Sequence, residues 1–170
     1  KYDSDYVMID YNETDNVQNK TKYSIKESII EKDEFMRKFF KIGNQECIFY
    51  PWGKLIKRNL IEDDLFPVDC RIGEDVIANY KILMKTNKIA ISNEKLYNYF
   101  QHAEGLTRSG FSSKDFDLIN VWDNMLQLTK NTKYYEYAKI NRARTDFTIL
   151  TRMSMNVKYD IIIDKYEIQI

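Results

Sequence analysis

Glu74 and Asp75 stand side by side immediately after Gly73, at the opening of a run with helical periodicity. Ile72, Val76, Tyr80 and Leu83 recur at steps of three and four residues, so the spacing predicts a helix from the acids to about Thr86. A carboxylate can take a proton from a reacting group, and one that opens a helix has a fixed direction. The pair also has a purely local explanation, because the free N–H groups and macrodipole of a helix N-terminus favour negative charge. At Asp75 two influences oppose each other: Glu74 raises its proton affinity by like-charge repulsion, and the helix terminus lowers it. Other residues could join the acids. Lys54, Arg58 and Arg108 carry charge suited to a phosphate, although a solvated basic turn is the ordinary fate of such side chains. Trp52, beside Gly53, offers a flat apolar face to a ligand or a large side chain to a core. His102 is the sole histidine and could ligate a metal or touch an anion, roles that most lone histidines do not have.

These residues need elements to hold them. Tyr6-Val7-Met8-Ile9 between two aspartates reads as a short buried strand, followed by a polar loop over Asn12–Thr21. Tyr23–Glu31 suits either a capped helix or an extended segment. From Asp33 a helix presents Phe35, Met36, Phe39 and Phe40 on one face and stops at Gly43. Ile48-Phe49-Tyr50 is a short apolar run closed by Pro51-Trp52-Gly53, and Leu55–Leu60 reads as a helical turn. After the helix that follows Gly73, Ile89-Ala90-Ile91 reads as a strand, Ser92-Asn93-Glu94 as a turn and Leu96–Phe100 as an aromatic strand. Gln101–Phe111 is a loop, and helices follow over Lys114–Lys130 and Tyr134–Met155. Leu118, Val121, Trp122, Met125 and Leu128 form an apolar stripe on the first, with Ala138, Phe147, Leu150 and Met153 on the second. Asp160–Ile170 reads as an edge strand.

Composition narrows the classes. The 170 residues are 44% hydrophobic and 31% charged with only 5 Gly and 2 Pro, the makeup of one ordered globular domain. Twenty-six basic residues balance 26 acidic ones, so no global field argues for nucleic acid or a strongly basic partner. The 13 Tyr and 9 Phe suit sugar or peptide contacts as well as core edges. Cys47 and Cys70 lack the companions of a zinc site and are expected as reduced, partly buried thiols of a cytosolic protein. Asn12-Glu13-Thr14 and Asn19-Lys20-Thr21 spell glycosylation triplets, which mean nothing in that compartment. No run reaches the roughly 18 apolar residues of a membrane span. No secretory signal opens the chain, and its start at Lys1 suggests a piece of something longer.

Five motifs in order resemble the C-terminal half of family 2 glycosyltransferases, in the subgroup that builds bacterial surface polysaccharides. They are Trp52-Gly53-Lys54-Leu55-Ile56-Lys57-Arg58, Phe66-Pro67, Gly73-Glu74-Asp75, Leu96-Tyr97-Asn98-Tyr99 and Gly105-Leu106-Thr107-Arg108-Ser109. The resemblance covers about residues 5 to 130. Phe100 stands where the family commonly has Arg, and Gly105 where it commonly has Ser, which puts phosphate or acceptor contacts there in doubt. Asp3-Ser4-Asp5 spells the family's metal motif but precedes what looks like a later strand, and is read as a chance match.

The resemblance implies an α/β fold: the acceptor-side part of a GT-A-like fold, a short mixed sheet packed with helices, then a C-terminal helical hairpin. Residues 1–112 would form the acceptor-side part and 113–170 a helical extension packed on it. The whole enzyme would transfer a sugar, with inversion, from a nucleotide-diphosphate donor to a glycan acceptor in cell-surface polysaccharide synthesis. Mg²⁺ or Mn²⁺ would be its cofactor. Asp75 would take the part of the base with Glu74 beside it; Trp52, Lys54 and Arg108 are the candidate substrate contacts and His102 a candidate metal ligand. Location would be cytoplasmic, at the inner face of the membrane, with no nucleic-acid partner. This piece alone would be inactive without the nucleotide-binding half. The alternative is a non-catalytic helical interaction module, in which Glu74 and Asp75 only start a helix.

Overall fold

Tyr6 marks where the sheet meets its helices. A computed structural model of the chain describes residues 2–14, 24–43, 48–68, 70–100 and 111–154. Strand β1 (Tyr6–Thr14) is followed by β2 (Glu27–Ile30), α1 (Lys32–Phe39), β3 (Lys54–Ile56), α2 (Glu74–Lys85), β4 (Ile89–Phe100), α3 (Asp117–Thr129) and α4 (Tyr135–Ser154). Two short 3₁₀ turns lie at Arg58–Leu60 and Ser113–Phe116. The fold is mixed α/β. The four strands form one open mixed sheet in the order β2-β4-β1-β3, with β1 and β4 parallel and the outer pairs antiparallel. Backbone contacts divide the chain into two compact units, Lys1–Val68 with Glu74–Gly105, and Asp69–Gly73 with Leu106–Ile170.

In the first unit, one row across the sheet, Ile30, Ile89 and Tyr6, is buried. Tyr6 meets Phe35 of α1 edge-on at 5.6 Å and donates its hydroxyl to Asn79 of α2 at 3.3 Å. Phe39 and Phe40 in turn contact Tyr80. The helix expected from Asp33 therefore buries the face its spacing indicated. It ends before Gly43, with Lys41 left-handed (φ 53°) and the Ile42 N–H bonded back to the Arg37 carbonyl at 2.8 Å. Lys32 donates its ammonium to the Met84 and Thr86 carbonyls at the other end of α2.

Several expectations are corrected. The first strand continues beyond Ile9 to Thr14 because β4 pairs with it out to Phe100, and the Asn12 side chain bonds Asn98 across the pair. Only Tyr6 of its opening run is fully buried. Ser92-Asn93-Glu94 makes no turn. Between the pairs Ile9/Ser92 and Asp10/Lys95, β4 advances three residues for one of β1, so the extra residues are absorbed as an irregularity within one strand. Within the stretch that suited either helix or strand, Glu27–Ile30 is the extended β2, and Lys54–Ile56 is a strand pairing with β1, leaving only Arg58–Leu60 helical. Asp5 explains the Asp3-Ser4-Asp5 string structurally. Its carboxylate accepts the Asn87 and Lys88 N–H groups at 3.0 Å and pairs with Lys57, and these contacts, Lys57 first, hold it below the ordinary carboxylate range.

In the second unit α3 and α4 pack together. The buried side of α4 runs Ala138, Asn141, Thr145, Ile149, Met153, at steps of three and four. Phe147, expected on the apolar stripe, is 74% exposed instead, and Leu128 of α3 is also exposed. Phe111, Ile149 and Met153 form a small core with Phe116 and Ile119 against it. Gly73 has φ +83°, and a Cβ there would stand 3.0 Å from Leu118 and 3.2 Å from Val121 of α3, so the position requires glycine twice over. Arg71 clasps Asp117 through its main-chain N–H and two guanidinium N–H groups at 2.9–3.1 Å. No helix among the described residues is long and apolar enough to cross a membrane. The edge strand expected at Asp160–Ile170 lies outside the described residues, as does Cys47.

Candidate functional site

Parallel strands bring side chains together at their carboxyl ends, where α/β folds commonly place ligands. Here β1 contributes Tyr11 and β4 contributes Tyr97 and Tyr99, two residues apart and so on one side of the strand. Gly53, buried and left-handed at φ +67°, lets the chain entering β3 lie close to β1. The Ile9 N–H bonds its carbonyl at 2.9 Å, and an added Cβ would meet the Ile9 oxygen at 3.5 Å. That turn delivers Trp52 into the tyrosines. Its indole stacks on Tyr50 at 3.7 Å and 8°, on Tyr97 at 4.7 Å and 10°, and on Tyr99 at 5.0 Å and 21°. A ring nearly centred at 3.7 Å fills one indole face, so Tyr97 and Tyr99 take the other. Tyr11 stands edge-on to Tyr50, Trp52 and Tyr99. Trp52 is thus the middle of an aromatic column and not an open platform.

Lys54, the next residue but one, turns its ammonium to the chain that precedes it. It donates to the Ile48 carbonyl at 3.1 Å and to the Tyr50 carbonyl, and lies 4.1 Å from the Tyr50 ring centre. Arg58 bonds the Ile61 carbonyl. Both expected phosphate contacts therefore have main-chain partners in this structure.

The acids open α2 as their spacing predicted, both half-buried. Burial, and then the negative charge of Glu74, raise the Asp75 carboxyl to about 6. The Val76 N–H and the charge of Lys54 pull the other way without prevailing. The contest that the sequence posed between the neighbouring acid and the helix terminus is settled by desolvation. Asn79, one turn on, is 2% exposed. It donates to the Asp75 carbonyl at 3.0 Å and to the Phe49 carbonyl at 2.6 Å while accepting from Tyr6.

The structure thus links Asp75, Lys54 and Trp52 through the 48–54 segment, with Glu74 beside Asp75 on α2. His102 and Arg108, and with them the Gly105–Ser109 motif, lie outside the described residues. Among the described residues no three His, Cys, Asp or Glu side chains stand together as a divalent-cation site would need. A groove of about 330 Å³ opens separately between Tyr2–Ser4, Val7, Glu27 and Ala90–Ser92, and shares no residue with the column or the acids. Sequence reasoning passed over Tyr11, Tyr50 and Asn79 as site residues. The signals were there: Tyr50 lies two before Trp52, Tyr97 and Tyr99 alternate, and Asn79 interrupts an apolar helix face one turn after Asp75. The sequence matches no protein-family model and no curated protein.

Proposed function

We propose that this chain is the acceptor side of an inverting glycosyltransferase of the GT-A type, with Asp75 as the base that deprotonates the acceptor hydroxyl. The observation that carries the reading is the state of Asp75: a half-buried carboxyl at a helix start, raised to about 6 by burial and by Glu74. A base must be ionised at working pH yet hold a proton well enough to take one, and a carboxyl near 6 meets both needs better than one near 4. The adjoining column of Tyr11, Tyr50, Trp52, Tyr97 and Tyr99 offers ring edges and outer tyrosine faces for a sugar's C–H groups. The motif order supports the family 2 assignment, and α3 with α4 would be its C-terminal helical hairpin. In the complete enzyme the donor is a nucleotide-diphosphate sugar, the acceptor a growing surface glycan at the inner face of the membrane, and the cofactor Mg²⁺ or Mn²⁺. The role of Asp75 is derived without the metal.

The test is sugar transfer by the full-length protein that carries this chain, with Asp75→Asn beside wild type. Loss of at least about a hundredfold is expected for removal of a general base. Retained activity in a folded Asp75→Asn protein would sink the assignment. A protein-interaction module is the second reading, favoured by the exposed Leu55 and Ile29 on the sheet and Phe147 on α4. It predicts that Asp75→Asn changes nothing but stability.

A further inference from the structure

Asn79 is a polar side chain where the apolar spacing of α2 calls for a hydrophobic one, and it is almost wholly enclosed. A buried carboxamide costs stability unless its donors and acceptor are met. Here both amide hydrogens and the oxygen are engaged, and each bond leads somewhere different. One runs back a turn to the carbonyl of Asp75. One crosses to the carbonyl of Phe49, next to Tyr50, whose ring lies on Trp52 and whose carbonyl, with that of Ile48, holds the Lys54 ammonium. The third, from Tyr6, anchors the group to β1.

We propose that Asn79 is the positioning residue of the site: by tying the Asp75 turn to the Phe49–Tyr50 backbone, it sets where the acid stands relative to Lys54 and the Tyr50–Trp52 stack. The proposal rests on the reading of Asp75 as the base, but its test does not depend on transfer activity. The charges that act on the Asp75 carboxyl are Glu74 on its own helix and Lys54 on β3. When the tie to Phe49 is cut, the Lys54 cradle at Ile48 and Tyr50 is freed, and the opposing positive charge no longer has a fixed place near the acid.

The decisive variant is Asn79→Ser. A serine in a helix can still bond the carbonyl four residues back, here that of Asp75, but cannot reach Phe49. Carboxyl ¹³C NMR titration of this chain, with Asp75 identified by its loss in Asp75→Asn, reads the acid directly, and near-UV circular dichroism reads the stacked rings. The expected result is an upward move of the Asp75 midpoint by about half a pH unit or more, with a weakened Tyr–Trp signal. Asn79→Gln, whose longer arm keeps the carboxamide, should restore part of both. A merely structural asparagine would lower the melting temperature and leave both readings at their wild-type values, and that result overturns the proposal. Asn79→Leu, which removes every bond at similar volume, provides the same two readings should the serine variant unfold. If Asp75→Asn retained transfer activity while Asn79→Ser still moved the Asp75 midpoint, the base assignment would fail and the positioning role would stand.

Discussion

Asp75 is held in a state that costs the fold something. Its folded carboxyl titrates near 6 against an ordinary value of 3.8. Between those values the folded protein binds a proton that the unfolded chain has lost, so stability falls as pH rises through that window and stays lower above it. The displacement corresponds to about 3 kcal/mol at most. Asp75→Asn, which copies the protonated form, should therefore melt at a higher temperature than wild type at pH 7.5 and lose that advantage below about pH 4. Thermal melts of the two proteins at both values check this. If Asp75 is the base, transfer should rise with pH through about 6 in the same protein, because only the ionised carboxyl accepts a proton. Asp117 has the opposite sign: Arg71 holds its carboxyl below the ordinary range, so its contribution is present at neutral pH and is lost on acidification. At this scale the sequence named the acids and Trp52 from residue type and spacing. It did not show the column or the Lys54 contacts, because rings from Tyr11, Tyr50, Trp52, Tyr97 and Tyr99 meet only once three chain segments are brought together.

Elements show a different limit. Helices were legible because their periodicity is local: α1, α2, α3 and α4 stand close to where spacing put them. The strands were less so. Whether Ser92-Asn93-Glu94 turns or continues depends on β1 lying alongside to absorb the surplus residues, which no local pattern states. The error at Phe147 was one of phase, since Asn141 and Thr145 occupy the buried side of α4 that apolar residues were expected to mark. Gly73 belongs to this scale because it joins a turn to α3. Gly73→Ala forces a left-handed alanine and drives its Cβ into Leu118 and Val121. The expected loss is about 1–3 kcal/mol, measured by urea unfolding; an unchanged midpoint would contradict the packing described.

The whole molecule carries no net charge and has a sequence pI near 6.8. With no repulsive field, its solubility should be lowest close to pH 7 and recover on either side, as precipitation across a pH series would show. A net charge of zero also predicts that encounter with any charged ligand is governed by local groups and depends little on ionic strength beyond them. The parallel pairing of β1 with β4 has a consequence in time. Tyr6 pairs with Ile89, 83 positions later (89 − 6), so the pairing that floors the site is among the most distant in the first unit. At synthesis rates of about 5–20 residues per second, β1 waits on the order of ten seconds for its partner to be made. The ribosome therefore releases a strand with an apolar opening long before it releases the strand that pairs with it, and Tyr97 and Tyr99 can join the aromatic column only when that late arrival closes the loop.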